Sequence, residues 1–389
     1  MTPLRRCASS PRRADRARDP AKPVRWRMLA VVTCALALAG CASPTTGVGY
    51  YWQSVTGHLA LMQAARPVDE WIADPQTPAA LRARLETAQR IRAFASAQLA
   101  LPDNPSYRRY ADLQRPAAVY TVVAAPELSL KLHTWCFPVV GCVGYRGYYS
   151  AAHAQAFAAT LPTDLEVAVY PVPAYSTLGW LNWAGGDPLL NTFIGYPDGE
   201  VARLVFHELA HQVVYVRDDT AFNESFATAV ERLGVARWLS TEADATAQQA
   251  YATFDARRRA FRALTRATRE RLQAVYDNDT LGAAAQRAQK AAVMQRFRED
   301  YAALRTTWGG FAGYDAWVAR ANNASLGVQA AYDRWVPAFE ALFEREGRDF
   351  ARFYDAVRAL AELSADPRTE ALNALLDAPT IARRPEHHP

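Results

Sequence analysis

Val205-Phe206-His207-Glu208-Leu209-Ala210-His211-Gln212 places two histidines four residues apart in an apolar run. On a helix, positions i and i+4 share a face, so both imidazoles can reach one ion. Glu208 stands about 100° around the axis from His207. It does not share their direction, but it can reach a water bound to that ion. The pattern is H-E-x-x-H, two Zn²⁺ ligands with a general base beside them. Phe206, Leu209 and Ala210 make the surroundings apolar, which strengthens the electrostatics of the site. The chain has only seven histidines, and two of them are here.

A catalytic zinc takes three protein ligands and keeps one open position. The third ligand is expected from Ala221-Phe222-Asn223-Glu224-Ser225-Phe226-Ala227-Thr228, at Glu224, 13 residues after His211. Between them lies Arg217-Asp218-Asp219-Thr220, with Thr220 or Asp219 as a helix N-cap. A helix, a turn and a second helix then bring Glu224 opposite the imidazoles. Glu231 is the rival ligand, seven residues on along the same helical face. Asn223 is expected to orient the site.

The N-terminus reads as an address. Arg12, Arg13, Arg16, Arg18, Arg25 and Arg27 precede 13 mostly apolar residues, Met28 to Gly40. A basic segment followed by so short an apolar run is a secretory signal, not a spanning helix. It ends in Leu38-Ala39-Gly40-Cys41, which resembles the bacterial lipobox. The resemblance implies lipid on Cys41, anchoring to a membrane, and removal of residues 1–40. Ala42 instead of Asp after the cysteine implies the outer membrane, facing the periplasm. Cys7 and Cys34 leave with the signal, so two of the five cysteines remain, Cys136 and Cys142. An oxidising compartment favours a local disulfide between them, since no second pair completes a four-ligand metal site.

Residues 1–40 carry nine of the 44 basic and two of the 39 acidic residues. The remainder, 35 basic against 37 acidic, has a net charge of −2. That leaves no electrostatic footprint for nucleic acid. With 50% hydrophobic residues and 19 Gly, the body is neither disordered nor collagen-like.

After a tether over 41–56, helical spacing runs from His58 to about Leu99, interrupted by Pro75 and Pro78, which predicts two helices. Ala118–Ala124 and Glu166–Val172 read as strands, and Thr177–Trp183 as a further short one. Helices are expected at 200–215, 221–239, 242–275, 283–306, 326–346, 348–363 and 367–377. The fold class is therefore α+β: a small mixed sheet between helical segments, a zincin-like active-site helix pair, and a mainly helical C-terminal half. One domain is expected over 57–389: helices and sheet at 57–198, zinc-site helices at 199–240, a helical part at 241–389.

His207-Glu208-Leu209-Ala210-His211-Gln212 followed by Asn223-Glu224-Ser225-Phe226-Ala227 resembles the gluzincin aminopeptidases. Their H-E-L-A-H-Q is followed by N-E-G-F-A, whose glutamate binds zinc. The departures are twelve residues between His211 and Glu224, fewer than in the best-known members, and no G-x-M-E-N motif. A closer resemblance is to the putative aminopeptidase family of secreted bacterial lipoproteins. It is carried by Trp135–Val143, Tyr145–Tyr148, Leu178–Trp180 and the zinc motif.

The expected chemistry is hydrolysis of a peptide substrate, with Glu208 as general base and His207, His211 and Glu224 on zinc. A tetrahedral intermediate needs a further donor, and Tyr145 and Tyr148 are candidates. Arg146 is a candidate for a substrate carboxylate. Gly179 and Trp180 are candidates for pairing with an extended peptide along an edge strand. The alternatives are an endopeptidase, or a zinc-binding but noncatalytic periplasmic lipoprotein acting in envelope assembly. Retention of Glu208 speaks against the latter, because a structural site needs no base.

Overall fold

The computed structural model describes residues 47–137, 141–174, 176, 177, 179, 182–329 and 334–377. The signal, Cys41 and Trp180 lie outside these residues. Two compact units are distinguished, Met1–Trp52 and Gln53–Pro389, and every element of the candidate site belongs to the second. Among the described residues no helix is long and apolar enough to cross a membrane.

Helix α1 spans Gly47–Ala64, so it begins inside the stretch expected as a tether. Strand β1 (Arg66–Pro67), helix α2 (Val68–Ala73) and helix α3 (Ala79–Leu99) follow. α3 starts after Pro78, whose fixed φ suits a helix entry, and stops at Ala100 in the left-handed region, φ 50°. Leu85, Ala88, Ile91, Ala95 and Leu99 form its buried stripe. Arg92 lies buried on the same side, donating to the Ser106 carbonyl at 2.8 Å and the Pro102 carbonyl at 2.7 Å. It thereby shapes the loop that leads to β2 (Arg109–Ala111).

The strands form three small sheets. β3 (Val119–Pro126) is central to an antiparallel sheet with β6 (Arg146–Tyr148) and β7 (Leu165–Val172). β1, β2 and β8 (Leu189–Leu190) make a mixed one, in which β2 and β8 are parallel. β4 (Trp135–Phe137) and β5 (Gly141–Val143) form a hairpin that places Cys136 opposite Cys142, and the two are joined. Helix α4 (Ala151–Ala158) is capped by Ser150 and lies against β3.

The segment expected as a strand over Thr177–Trp183 is not one. Gly179 sits in a turn at φ +79°, and Asn182–Ala184 is a 3₁₀ turn. A backbone in the left-handed region cannot continue a strand.

Helices α5 (Asp198–Ala210) and α6 (Thr220–Thr241) pack together at the centre. α7 (Ala245–Tyr276) and α8 (Ala283–Thr307) form a long hairpin with its own core around Phe261, Leu272 and Phe297. α9 (Asp315–Ala319), α10 (Asn323–Val328), α11 (Val336–Arg345), α12 (Phe350–Glu362) and α13 (Ala365–Asp377) complete the chain. The single helix expected at 326–346 is thus two. Asn322 and Ser325 build a reciprocal cap that starts α10, and Pro337 stands in the first turn of α11. The molecule is α+β with a helical C-terminal half. Phe339 of α11 touches Phe222 and Phe226 of α6 at ring separations of 5.2 and 5.7 Å.

Candidate metal centre

α5 ends at Ala210 with His211 as its C-cap, and eight residues then turn the chain back into α6. Two devices fix that turn. Asp219 N-caps α6, accepting from the Phe222 amide at 3.0 Å. Asn223 clasps Val216 from both sides: its Nδ2 donates to the Val216 carbonyl and its Oδ1 accepts from the Val216 amide, each at 2.7 Å. The neighbouring residue, Glu224, is thereby aimed at α5.

Three donor atoms converge. His207 Nε2 and His211 Nε2 are 3.2 Å apart, and Glu224 Oε2 is 3.3 Å from the first and 3.9 Å from the second. Ligands about 2.0–2.1 Å from one tetrahedral ion are separated by about 3.3–3.4 Å along each edge. The donor set therefore fits a small divalent cation such as zinc, and His207, His211 and Glu224 are a group that could hold one.

Glu231, the rival acid, stands elsewhere. Its Oε2 is 3.0 Å from His207 Nδ1, so it holds the ring by the nitrogen turned away from the cluster. Nε2 then has a lone pair for an ion once its own proton is released. Arg203 donates to Glu231 at 2.9 Å and to Glu200 at 2.8 Å, and Arg258 of α7 donates to both Glu200 oxygens. Burial opposes charge on Glu231, but Arg203 and His207 hold its carboxyl well below the usual range. Burial also opposes charge on His207, yet hydrogen bonds with Glu224 and Glu231 raise its pKa to about 10. His211 is pushed down to about 4, chiefly by burial. Its Nδ1 is buried with no hydrogen-bond partner among the described residues.

Glu208 faces other neighbours, Tyr107, Ser176 and Asp187. Burial raises its carboxyl to about 7, with Glu224 and Asp187 adding to the shift and His207 and Ser176 opposing it. Asp187 itself is buried, accepting from the Thr177 amide at 3.0 Å and from Ser176 Oγ at 3.3 Å.

The aromatic candidates separate, Tyr145 just before β6 and Tyr148 within it. Tyr145 is 44% exposed as a residue, but its hydroxyl is surrounded by protein and lies near Glu224 and Glu208. Burial there, then Glu224, Tyr215, Tyr170 and Glu208, raises its pKa. Arg146 and Tyr148 share the opposite face: the Arg146 guanidinium lies 4.3 Å from the Phe157 ring centre and the Tyr148 ring 5.6 Å from it. They are packed on α4, not turned to the donor cluster. Gly179 lies beside Gln212, the residue after His211; a Cβ there would be 3.1 Å from Gln212 Oε1. The Cys136–Cys142 hairpin reaches the turn between the two helices, where the Cys142 amide donates to Asp218 Oδ1 at 2.6 Å. Tyr170 and Tyr215, both raised by burial and by Glu224, were not singled out from sequence, nor was Arg203. Spacing held a signal for two of them: Arg203, His207, His211 and Tyr215 recur every four residues.

An α+β chain with H-E-x-x-H on one helix and a facing glutamate on the next has a helix pair of the zincin type. Comparison with family models matches residues 49–372 to the family described as "Putative aminopeptidase", and the chain belongs to that family. Comparison with curated proteins and with solved structures finds no significant match.

Proposed function

We propose that the protein is a zinc metallopeptidase, an aminopeptidase held at the bacterial cell envelope by lipid on Cys41. The observation that carries this is the convergence of His207 Nε2, His211 Nε2 and Glu224 Oε2 within 3.2–3.9 Å, in a chain of an aminopeptidase family. A zinc ion held there would supply Lewis-acid polarisation of the scissile carbonyl and a water acidified towards about pKa 7. Glu208, raised to about 7 by burial, takes a proton from the attacking water and delivers it to the leaving amine. A group poised so near neutrality can do both. The Tyr145 hydroxyl donates to the oxyanion as the carbonyl becomes tetrahedral. Glu231 keeps His207 oriented.

The test compares wild type with Glu208→Gln on free-amine peptides and their N-acetylated forms, with and without chelator. The variant should keep its metal and lose activity by about 10²–10⁴-fold. Chelation should abolish wild-type hydrolysis, and acetylation should slow it. Wild-type rates in Glu208→Gln would remove the assigned base, and equal rates on acetylated peptides would make the enzyme an endopeptidase. Incorporation of labelled fatty acid, lost in Cys41→Ala, tests the anchor and with it the outer-membrane, periplasm-facing location.

A further inference from the structure

Among the described residues of the unit Gln53–Pro389, three aromatic side chains stand exposed: Tyr145 at 44%, Trp183 at 83% and Tyr215 at 37%. They come from three separate segments; Tyr145 and Tyr215 adjoin the candidate centre directly, and Trp183 stands on a turn tied to Gln212. The Tyr215 ring lies 6.5 Å from the His211 ring. Tyr145 neighbours Glu224. Trp183 is linked through the residue before it: Asn182 Nδ2 donates to Gln212 Oε1 at 3.3 Å, and Gln212 follows His211 directly.

The Trp183 turn is tied at several points. Ser106 Oγ donates to Asn182 Oδ1 at 2.9 Å, Asn104 Nδ2 donates to the same Gln212 oxygen at 2.7 Å, and Gln212 Nε2 donates to Ser106 Oγ at 3.3 Å. Buried Arg92 holds the Asn104 and Ser106 carbonyls from below. The amide cluster borders the base: the Asp187 amide donates to Ser106 Oγ at 3.2 Å, and both Asp187 and Tyr107, the residue after Ser106, lie close enough to interact with Glu208. An indole carried into water by that tied turn is unfavourable unless something apolar covers it, and aromatic rings give much contact area for little lost side-chain freedom.

We propose that Trp183, with Tyr145 and Tyr215, forms a subsite for a bulky apolar side chain of the peptide substrate, aromatic or branched aliphatic, next to the scissile bond. The subsite rests on the peptidase reading, so its test carries a readout independent of turnover. Peptides that differ only in Phe or Ala at the cleaved position would be compared, together with binding of a benzyl-bearing and a methyl-only hydroxamate to the metal-loaded protein. Wild type should favour the Phe peptide and the benzyl hydroxamate by about tenfold or more. Trp183→Ala should shrink both ratios at least fivefold, and Trp183→Phe should restore most of each, with metal content and melting temperature held in both variants. Ratios unchanged in Trp183→Ala overturn the subsite, whether or not that variant has lost affinity for lipid vesicles, which would move the indole to a membrane role. A preserved hydroxamate ratio without hydrolysis of any peptide supports the subsite and removes the peptidase reading. Hydrolysis with no side-chain preference does the reverse.

Discussion

Glu224 and Glu231 are the same residue type on the same helix, and they meet different nitrogens of His207. Glu224 Oε2 stands 3.3 Å from Nε2, the atom shared with His211, whereas Glu231 Oε2 stands 3.0 Å from Nδ1. The two should therefore fail differently. Glu224→Ala should lose stoichiometric zinc, and Glu231→Gln should keep it with affinity weakened about 10–100-fold, read by competition with a chelating dye. The reverse order would exchange their roles. His207 adds a pH dependence. In the metal-free site its pKa is raised to about 10, so near neutrality it is protonated and must release that proton to bind an ion. Apparent zinc affinity should then fall about tenfold from pH 8 to pH 7 on this account alone, with about one proton released per metal in calorimetry. An affinity that does not change over this range would contradict the charge on His207.

The helix pair was legible because its signals are local: i and i+4 histidines, the Asp219 cap, and a glutamate following an asparagine. Its supports were less so. That Arg146 and Tyr148 pack on Phe157 depends on the register of β6, and the pairs Tyr120–Tyr148 and Val122–Arg146 come from a strand more than 20 residues earlier. Thr177–Trp183 has the composition of a strand, but Gly179 and the 3₁₀ turn break it. The spacing predicts that α5 runs to 215, yet it stops at Ala210 and Asn223 clasps Val216 in the turn beyond. The β4–β5 hairpin has the most exacting contact of these elements. Gly141 adopts φ +77°, and a Cβ there would collide with the Asp218 carboxylate in the turn between α5 and α6. Gly141→Ala should cost about 1–3 kcal/mol of stability by denaturant titration, from backbone strain and displacement of Asp218. A loss under 0.5 kcal/mol would show that the hairpin is not seated on that turn.

Across the molecule, the C-terminal half braces α6. Trp335 donates its amide to Ser225 Oγ at 3.1 Å, beside Glu224, and Phe339 and Phe353 pack on Phe226. Arg368 of α13 donates twice to Asp219 Oδ2, at 3.0 and 2.8 Å, on the very residue that caps the helix. With Arg368 almost fully buried, Arg368→Met should destabilise the protein by about 1–3 kcal/mol and weaken zinc affinity with it, because the start of α6 and the Glu224 position share that anchor. A stability loss with unchanged metal affinity would confine the C-terminal helices to folding. X-ray absorption at the zinc edge on the purified, zinc-loaded protein bears most directly on the centre itself. The expected spectrum has one ion per chain, two imidazole nitrogens at about 2.0–2.1 Å, carboxylate and water oxygens at about 2.0–2.2 Å, and no sulfur. A protein that holds no stoichiometric zinc, or one whose zinc keeps its wild-type spectrum in Glu224→Ala, would contradict the assignment.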